Sequence, residues 1–111
     1  MSCECTELKA LKVEADVGAD PIWCITCGCN LELFDFQLST PLARELLEWA
    51  ELYGQWINWD TDTLIPNGIE MEDEHNEAGI RLAEKLKREL FGSYTVTFIP
   101  SSMARMYANK K

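Results

Sequence analysis

Apolar and polar residues alternate in two short stretches, one near each end of the chain. In residues 8–17, Leu11, Val13, Ala15 and Val17 alternate with charged side chains, and residues 94–98 alternate bulky apolar residues with threonine. Strict alternation is typical of a strand that buries one face. We therefore predict a strand in each stretch, the second ending at Pro100, which cannot donate a hydrogen bond to a sheet.

Two longer segments between these strands repeat apolar residues at helical spacing. The first begins at Thr40, whose hydroxyl can cap backbone N–H groups, has Pro41 in its first turn and ends at Gly54. The second runs from about Met71 to Phe91. We predict an amphipathic helix in each segment. The apolar stripes contain Leu42, Leu46, Trp49, Tyr53 and Trp56 in the first helix and Gly79, Leu82, Leu86 and Leu90 in the second.

The remaining segments are less regular. Residues 30–36 fit either a short strand or an apolar loop, and residues 57–70 form an irregular connection. The order of elements predicts an α+β fold, with two helices packed on one face of a two- to four-stranded, mainly antiparallel sheet. We expect a single domain over residues 1–111. The ends, residues 1–7 and 104–111, are expected to fray.

The charge is strongly acidic and unevenly distributed. The net charge is −9, and residues 1–80 carry 17 of the 19 acidic residues but only three of the ten basic residues. Such a surface repels phosphate backbones, which argues against nucleic-acid binding, and it attracts a basic protein partner. A simpler interpretation is that the acidity only keeps a small protein soluble.

The sequence also indicates where the protein works. It contains no run of about 18 apolar residues that could span a bilayer, and residues 1–12 lack the basic and apolar regions of a secretory signal. We therefore expect a cytoplasmic protein that does not bind membranes. In that reducing compartment the five cysteines are expected to be thiols or metal ligands, because disulfides are rare there.

Three of the cysteines lie together in residues 21–30, PIWCITCGCN. Cys24 and Cys27 are separated by two residues and followed by glycine, a pattern that resembles one half of a zinc ribbon. The resemblance implies two thiolate ligands for Zn²⁺, whereas a structural zinc site needs four ligands. Because there is no second Cys-x-x-Cys pair, Cys3 and Cys5 are the nearest candidates to complete the site.

Two other interpretations of this cluster stay open. Trp23 followed by Cys24-x-x-Cys27 resembles the active-site segment of thioredoxins, which implies a dithiol redox role. However, Gly28 and Asn30 do not suit the helix that the motif opens in that family. Alternatively, the cysteines are small buried hydrophobic residues beneath a turn, since cysteine is among the most buried residue types.

Aromatic and acidic residues concentrate between the two predicted helices and at the start of the second one. Trp56 and Trp59 follow the glycine that closes the first helix, where aromatic side chains can be half exposed. Aromatic anchors surrounded by carboxylates suit a basic protein partner. The alternative is that both indoles fold back over the sheet. The predicted partner-binding residues are Trp56, Trp59, Asp60, Asp62, Glu72, Asp73 and Glu74.

No motif for ordinary catalysis is present. The chain has one histidine and lacks a nucleophile elbow, a phosphate-binding glycine loop and a metalloprotease helix. We therefore predict a non-enzymatic protein that binds a basic protein partner. In size and charge it is similar to bacterial immunity and inhibitor proteins, which are small acidic α+β domains. The alternative is a zinc-binding or thiol protein centred on Cys24 and Cys27.

Overall fold

A mixed four-stranded sheet packs against two long helices, and a two-stranded hairpin with a third helix completes the domain. The computed structural model describes residues 9–109. This small α+β architecture confirms the predicted fold class. In chain order the elements are β1 (Ala10–Val13), β2 (Ile22–Cys24), β3 (Asn30–Leu31), a 3₁₀ turn (Leu33–Asp35), α1 (Thr40–Glu51), β4 (Ile57–Asn58), β5 (Thr63–Leu64), α2 (Gly68–Glu89), β6 (Thr95–Phe98) and α3 (Met103–Ala108).

The larger sheet has the strand order β3-β2-β1-β6. β1 pairs antiparallel with β2 and parallel with β6, and β2 pairs antiparallel with β3. The predicted antiparallel character therefore holds for two of the three pairings. The last strand runs parallel to the first because the chain crosses over through both long helices before it returns to the sheet. Alternating residues of the two central strands are buried: Leu11, Val13, Ile22 and Cys24.

Both predicted helices form, with small changes at their starts. Ser39, rather than Thr40, caps α1 by accepting a hydrogen bond from the backbone N–H of Leu42 at 3.4 Å. α2 begins at Gly68, three residues before the predicted Met71. The turn that precedes it leads directly into the first helical turn, so the predicted irregular connection is shorter than the sequence suggested.

A glycine in the middle of α2 sets how closely this helix packs. A Cβ atom at Gly79 would collide with the rings of Phe98 in β6 and Trp49 in α1. The missing side chain therefore lets α2 lie close to both the sheet and the first helix, which explains a residue that otherwise weakens a helix interior. No helix within residues 9–109 combines the length and the apolar composition needed to cross a bilayer.

Two elements differ from the sequence prediction. Residues 57–70 were expected to be irregular, but they contain the hairpin of β4 and β5. Residues 104–108, part of a segment expected to fray, lie in α3, which was not predicted; residues 1–7, for which fraying is also expected, and residues 110–111 lie outside the described residues. Both elements pack around a second hydrophobic cluster built on Trp56, Ile57 and Ala104. Tertiary packing of this kind stabilises segments that are too short to form regular structure alone.

The cysteine-rich segment forms the tight turn between β2 and β3. The backbone N–H of Gly28 donates to the Cys24 carbonyl oxygen at 2.9 Å, and the N–H of Cys24 donates to the Cys29 carbonyl oxygen at 3.0 Å. Gly28 has a φ of +78°, which residues with a side chain rarely adopt. The prediction of a turn in this segment is therefore confirmed.

Candidate partner-binding site

The hairpin of β4 and β5 has a well-defined tip. The side-chain oxygen Oδ1 of Asn58 accepts hydrogen bonds from the backbone N–H groups of Asp60 at 3.0 Å and Thr61 at 3.3 Å. Asp62 has a φ of +55°, a left-handed conformation that aspartate adopts more readily than most residues. These local bonds fix the turn although each strand has only two residues.

Trp59 lies at this tip and is 56% exposed. Its indole Nε1 donates a hydrogen bond to the Gly54 carbonyl oxygen at 3.1 Å. Gly54 has a φ of +86°, and a Cβ atom there would lie 3.1 Å from the indole ring. The ring also meets Tyr107 of α3 edge-on, with centroids 6.4 Å apart. The hairpin thus presents a large aromatic ring to solvent in a fixed orientation.

Carboxylates from the hairpin and from α2 bond to α3, whose Tyr107 contacts this ring. Asp62, which is exposed like Asp60, accepts a hydrogen bond from the Tyr107 hydroxyl at 2.6 Å, and this bond raises the pKa of Tyr107. Asp73 of α2 accepts two hydrogen bonds from Arg105, at 3.1 and 3.4 Å, which raise the pKa of the guanidinium. α3 therefore holds the hairpin next to the start of α2.

Two of the predicted partner-binding residues are buried, so their assignment to a surface is corrected. Trp56 is 1% exposed and Glu72 is 0% exposed. Trp56 packs in the second cluster with its ring 5.7 Å from that of Tyr53. Glu72 Oε2 accepts hydrogen bonds from the Ser101 hydroxyl at 2.6 Å and the Ala104 N–H at 2.9 Å. The five remaining residues, which we call the acidic surface, are Trp59, Asp60, Asp62, Asp73 and Glu74.

Glu74 lies on the side of α2 that faces the end of α1. It is exposed and lines a groove of about 210 Å³ together with Leu52 and Trp56. The structure therefore connects Trp59, Asp62 and Asp73 through α3, whereas Glu74 extends the negative charge toward α1.

The sequence did not predict a polar cavity of about 310 Å³ elsewhere in the domain. Its wall includes Glu14 after β1, Tyr53 after α1, His75 of α2 and Ser101 after β6. Because these residues come from four separate segments, no spacing in the sequence reveals that they meet. The sequence gives the type of each residue but not their proximity.

A reciprocal pair of hydrogen bonds fixes His75 in the cavity wall. The ring stacks on Trp49 with centroids 4.4 Å apart and an interplanar angle of 8°. His75 Nε2 lies 2.9 Å from the Trp49 carbonyl oxygen, and Trp49 Nε1 donates to the His75 carbonyl oxygen at 2.8 Å. His75 is 6% exposed, and this burial lowers its pKa. The ring is therefore neutral at neutral pH.

The tautomer of His75 follows from these bonds. A carbonyl oxygen only accepts, so Nε2 must carry the proton and Nδ1 must carry a lone pair. Within residues 9–109, His75 Nδ1 is buried and has no hydrogen-bond partner. His75, one of the residues of the cavity wall, thus has an unused hydrogen-bond acceptor at Nδ1.

Carboxylates also influence the cavity through Tyr53. Burial raises the pKa of this phenol most strongly, and the negative charges of Asp16, Glu72 and Glu14 raise it further, whereas a hydrogen bond with Ser101 lowers it. The phenol is therefore protonated at neutral pH, and three carboxylates lie near enough to act on it.

A family model described as Serratia CdiI immunity protein-like matches residues 9–101. The chain belongs to this family. The match extends from the residue before β1 to three residues beyond β6 and contains every residue of the acidic surface, whereas α3 lies beyond it. No curated protein matches the sequence. Family membership supports an immunity-like role that depends on binding another protein.

The cysteines of this family member do not make a metal site within the described part of the chain. Cys24 is buried in β2, Cys27 is exposed and Cys29 is half-buried. Within residues 9–109, no three His, Cys, Asp or Glu side chains are grouped so that they could hold a metal ion. Cys3 and Cys5, which the zinc hypothesis requires, lie outside these residues. The zinc site therefore stays a prediction.

Proposed function

We propose that the protein is an immunity protein that binds a protein toxin through the acidic surface and thereby neutralises it. Trp59 carries this proposal, because it is 56% exposed and yet anchored by its hydrogen bond to Gly54. The proposal includes a basic partner surface, neutralisation by binding alone without a catalytic step, and action in the cytoplasm. The family match supports the immunity-like role.

A fixed aromatic side chain suits a binding hot spot. Tryptophan is enriched among the few interface residues that dominate binding energy. The indole of Trp59 already has its orientation set by the Gly54 carbonyl and the Tyr107 ring. Association therefore costs less side-chain entropy than it would for a freely rotating residue.

The charges around Trp59 favour a basic toxin surface. Arg105 offsets the charge of Asp73 through two hydrogen bonds. Most of the negative potential at this surface therefore comes from Asp60, Asp62 and Glu74. Opposite charges across an interface accelerate association and discriminate against wrong partners.

Replacement of Trp59 tests the proposal directly. Co-expression with individual protein toxins in a growth assay identifies a toxin that the wild-type protein neutralises, and titration calorimetry then measures the affinity. We expect Trp59→Ala to weaken binding about 30-fold or more, which corresponds to about 2 kcal/mol. Phe91→Ala is the matched control, because Phe91 is 89% exposed but follows the opposite end of α2. It should bind like the wild type.

Two results would contradict this proposal. If Trp59→Ala retains wild-type affinity and still protects cells, the acidic surface is not the toxin-binding site. If Phe91→Ala loses as much affinity as Trp59→Ala, exposed aromatic area in general, rather than the anchored indole, determines binding. Circular dichroism of each variant verifies that the fold is unchanged.

A further inference from the structure

The polar cavity is separate from the acidic surface and has the size for one side chain. Its volume of about 310 Å³ lies at the lower end of the range for ligand sites, about 300–1,000 Å³. Met106, which is 64% exposed, and the exposed Pro100 contribute to its lining, so it opens to solvent. A group on a partner's surface can therefore enter it.

The chemistry of the wall favours a hydrogen-bond donor. His75 Nδ1 is a buried acceptor without a partner in residues 9–109, and Glu14 contributes a carboxylate. The two polar groups of the Asn76 amide are already used, because its nitrogen donates to the Ser101 carbonyl oxygen at 3.0 Å and its oxygen accepts from the Ser101 N–H at 2.9 Å. The hydroxyl of Ser101 donates to Glu72. Tyr53 and Ser102 also line the cavity, and their hydroxyls can donate or accept, so the lining has acceptors in excess of groups that only donate.

The electrostatic environment favours a cation. Asp16, Glu72 and Glu14 all act on the Tyr53 phenol with negative charge. Lys12 lies 2.8 Å from Glu14, and Arg105 lies 3.7 Å from Glu72. Neither basic residue lines the cavity. A cationic ligand therefore enters a site whose lining carries negative charge and no positive charge.

The shape of the wall distinguishes between cations. Tyr53 contributes an aromatic residue to the lining of the cavity, and planar guanidinium groups stack on aromatic faces. A guanidinium also has five donors in a planar fork, which can reach several acceptors at once, whereas an ammonium is a strongly hydrated point charge. Arginine therefore fits this cavity better than lysine.

We propose that the cavity lined by Glu14, Tyr53 and His75 binds the guanidinium group of an arginine side chain from the toxin. This inference rests on the proposed function, because the toxin supplies the arginine. It adds a second contact region, distinct from the acidic surface around Trp59. It also explains why a buried, neutral histidine with an unused acceptor lines an open cavity.

Methylguanidinium is the probe for the cavity itself. Two-dimensional ¹H–¹⁵N NMR follows the indole N–H of Trp49 during titration, with neutral methylurea as a control of similar shape. We expect saturable binding of methylguanidinium in the millimolar range and at least tenfold weaker binding of methylurea. Glu14→Gln, a change at a half-buried side chain, should weaken methylguanidinium binding several-fold. Glu32→Gln removes the same charge outside the cavity and should have no effect.

Replacement of arginines in the toxin tests the source of the guanidinium. One Arg→Ala change in the toxin should weaken binding to the wild-type protein about tenfold or more. The same change should have a much smaller effect on binding to Glu14→Gln or His75→Gln. The reason is that the toxin arginine and the substituted cavity residue contact each other in the complex, so their effects are not additive. Glu32→Gln should retain the full effect.

The outcomes separate this inference from the proposed function. Absence of saturable methylguanidinium binding, or equal binding of methylurea, overturns the cavity assignment even if Trp59→Ala abolishes toxin binding. If methylguanidinium binds but no toxin Arg→Ala change has an effect that depends on Glu14 or His75, the toxin does not supply the guanidinium. A third outcome is that Trp59→Ala binds the toxin like the wild type, while one toxin Arg→Ala change has an effect that depends on Glu14 or His75. This outcome contradicts only the acidic surface as the binding site.

Discussion

Single residues of the same type have opposite roles in this protein, depending on burial. Trp56 and Trp59 are three positions apart, yet they are 1% and 56% exposed. Gly54, with a φ of +86°, reverses the chain after α1, and this reversal directs one indole into the second cluster and the other to the hairpin tip. The sequence identified both tryptophans as candidates but could not separate them, because no helical or strand period continues through the turn.

The surroundings of His75 could not be predicted from the sequence. The sequence placed it among acidic residues at the start of a helix. In the structure it is surrounded by the rings of Trp49, Trp56 and Tyr53, with centroid distances of 4.4, 5.1 and 6.2 Å. The helical pattern predicted a buried Trp49, but the partner that covers its ring is 26 residues away. Such a contact depends on tertiary packing rather than on local spacing.

The burial of His75 predicts a specific loss of stability in acid. Its pKa is lower in the folded protein than the ordinary value of 6.5, so the unfolded chain binds the proton more readily. The free energy of unfolding should therefore be fully retained above about pH 6.5 and decrease as the pH falls from there through the folded pKa. In His75→Gln this decrease should be absent between pH 7.5 and 5. Urea unfolding at each pH measures the difference.

The loss of stability below about pH 6.5 can be assigned to His75 because the chain has one histidine. Glu89, whose pKa is lowered by its hydrogen bonds to Ser39, loses its stabilising contribution only as the pH falls below its ordinary value of 4.5. That effect should remain in His75→Gln. Parallel pH profiles of the wild type and the variant down to pH 5 would contradict the prediction.

At the scale of elements, predictions succeeded where a pattern extends over several turns or pairs. Alternation located β1 and β6, and the Pro41 and Gly54 signals located α1 and its closing turn. The hairpin strands have two residues each and α3 has six. These lengths contain too few periods for a pattern to be recognised. Their formation depends on contacts with the second cluster instead.

Glu72 makes a buried polar contact between α2 and the start of α3. Its Oε2 accepts hydrogen bonds from the Ser101 hydroxyl and from the Ala104 N–H in the first turn of α3. Negative charge at this position also complements the positive end of a helix. A carboxylate that the sequence suggested for partner binding thus holds a short helix whose own residues cannot stabilise it.

Substitution of Glu72 should release α3. Glu72→Ala leaves the Ser101 hydroxyl and the Ala104 N–H without their acceptor and creates a cavity, so we expect a loss of about 2–4 kcal/mol in the free energy of unfolding. Amide hydrogen exchange should accelerate in residues 103–108 more than in β1 or β6. Glu72→Gln keeps an oxygen acceptor and should lose less stability.

Uniform acceleration of exchange throughout the chain would contradict the proposed local role of Glu72. So would wild-type protection of residues 103–108 in Glu72→Ala, since α3 would then be held by its apolar contacts and by its bonds to Asp73 and Asp62 without help from Glu72. A matched control is Glu84→Gln in the second half of α2. Glu84 pairs with Lys87 at the exposed surface, where an ion pair contributes little to stability.

At the scale of the whole molecule, α2 connects two hydrophobic clusters. Its 22 residues extend about 33 Å. Leu82, Ala83 and Leu86 pack in the larger cluster under the sheet, whereas Ile69 and Met71 pack against the cluster of Trp56 and Ala104. The apolar stripe that the sequence located on this helix accounts for the larger cluster, which contains Leu82, Leu86 and Leu90. The second cluster was not predictable, since most of its members lie outside α1 and α2.

The distribution of charge leads to a prediction about association. The net charge is −9, and a basic toxin should be attracted before contact by the potential of the whole protein and more strongly by the acidic surface. Stopped-flow measurements of the association rate constant should therefore show a decrease of about tenfold or more between 50 and 500 mM salt. The dissociation rate constant should change little, because it depends mainly on the short-range contacts of Trp59.

Two double variants distinguish the local surface from the overall charge. Asp60→Asn with Glu74→Gln removes two charges from the acidic surface, and Glu32→Gln with Asp35→Asn removes two from the segment around the 3₁₀ turn. Both pairs change the net charge equally, so only location differs. The first pair should slow association at low salt and flatten its salt dependence, because the lost charges lie closest to the docked toxin. The second pair should behave nearly like the wild type. If the association rate constants of the two double variants depend equally on salt concentration, the net charge alone attracts the toxin. The acidic surface would then not steer association.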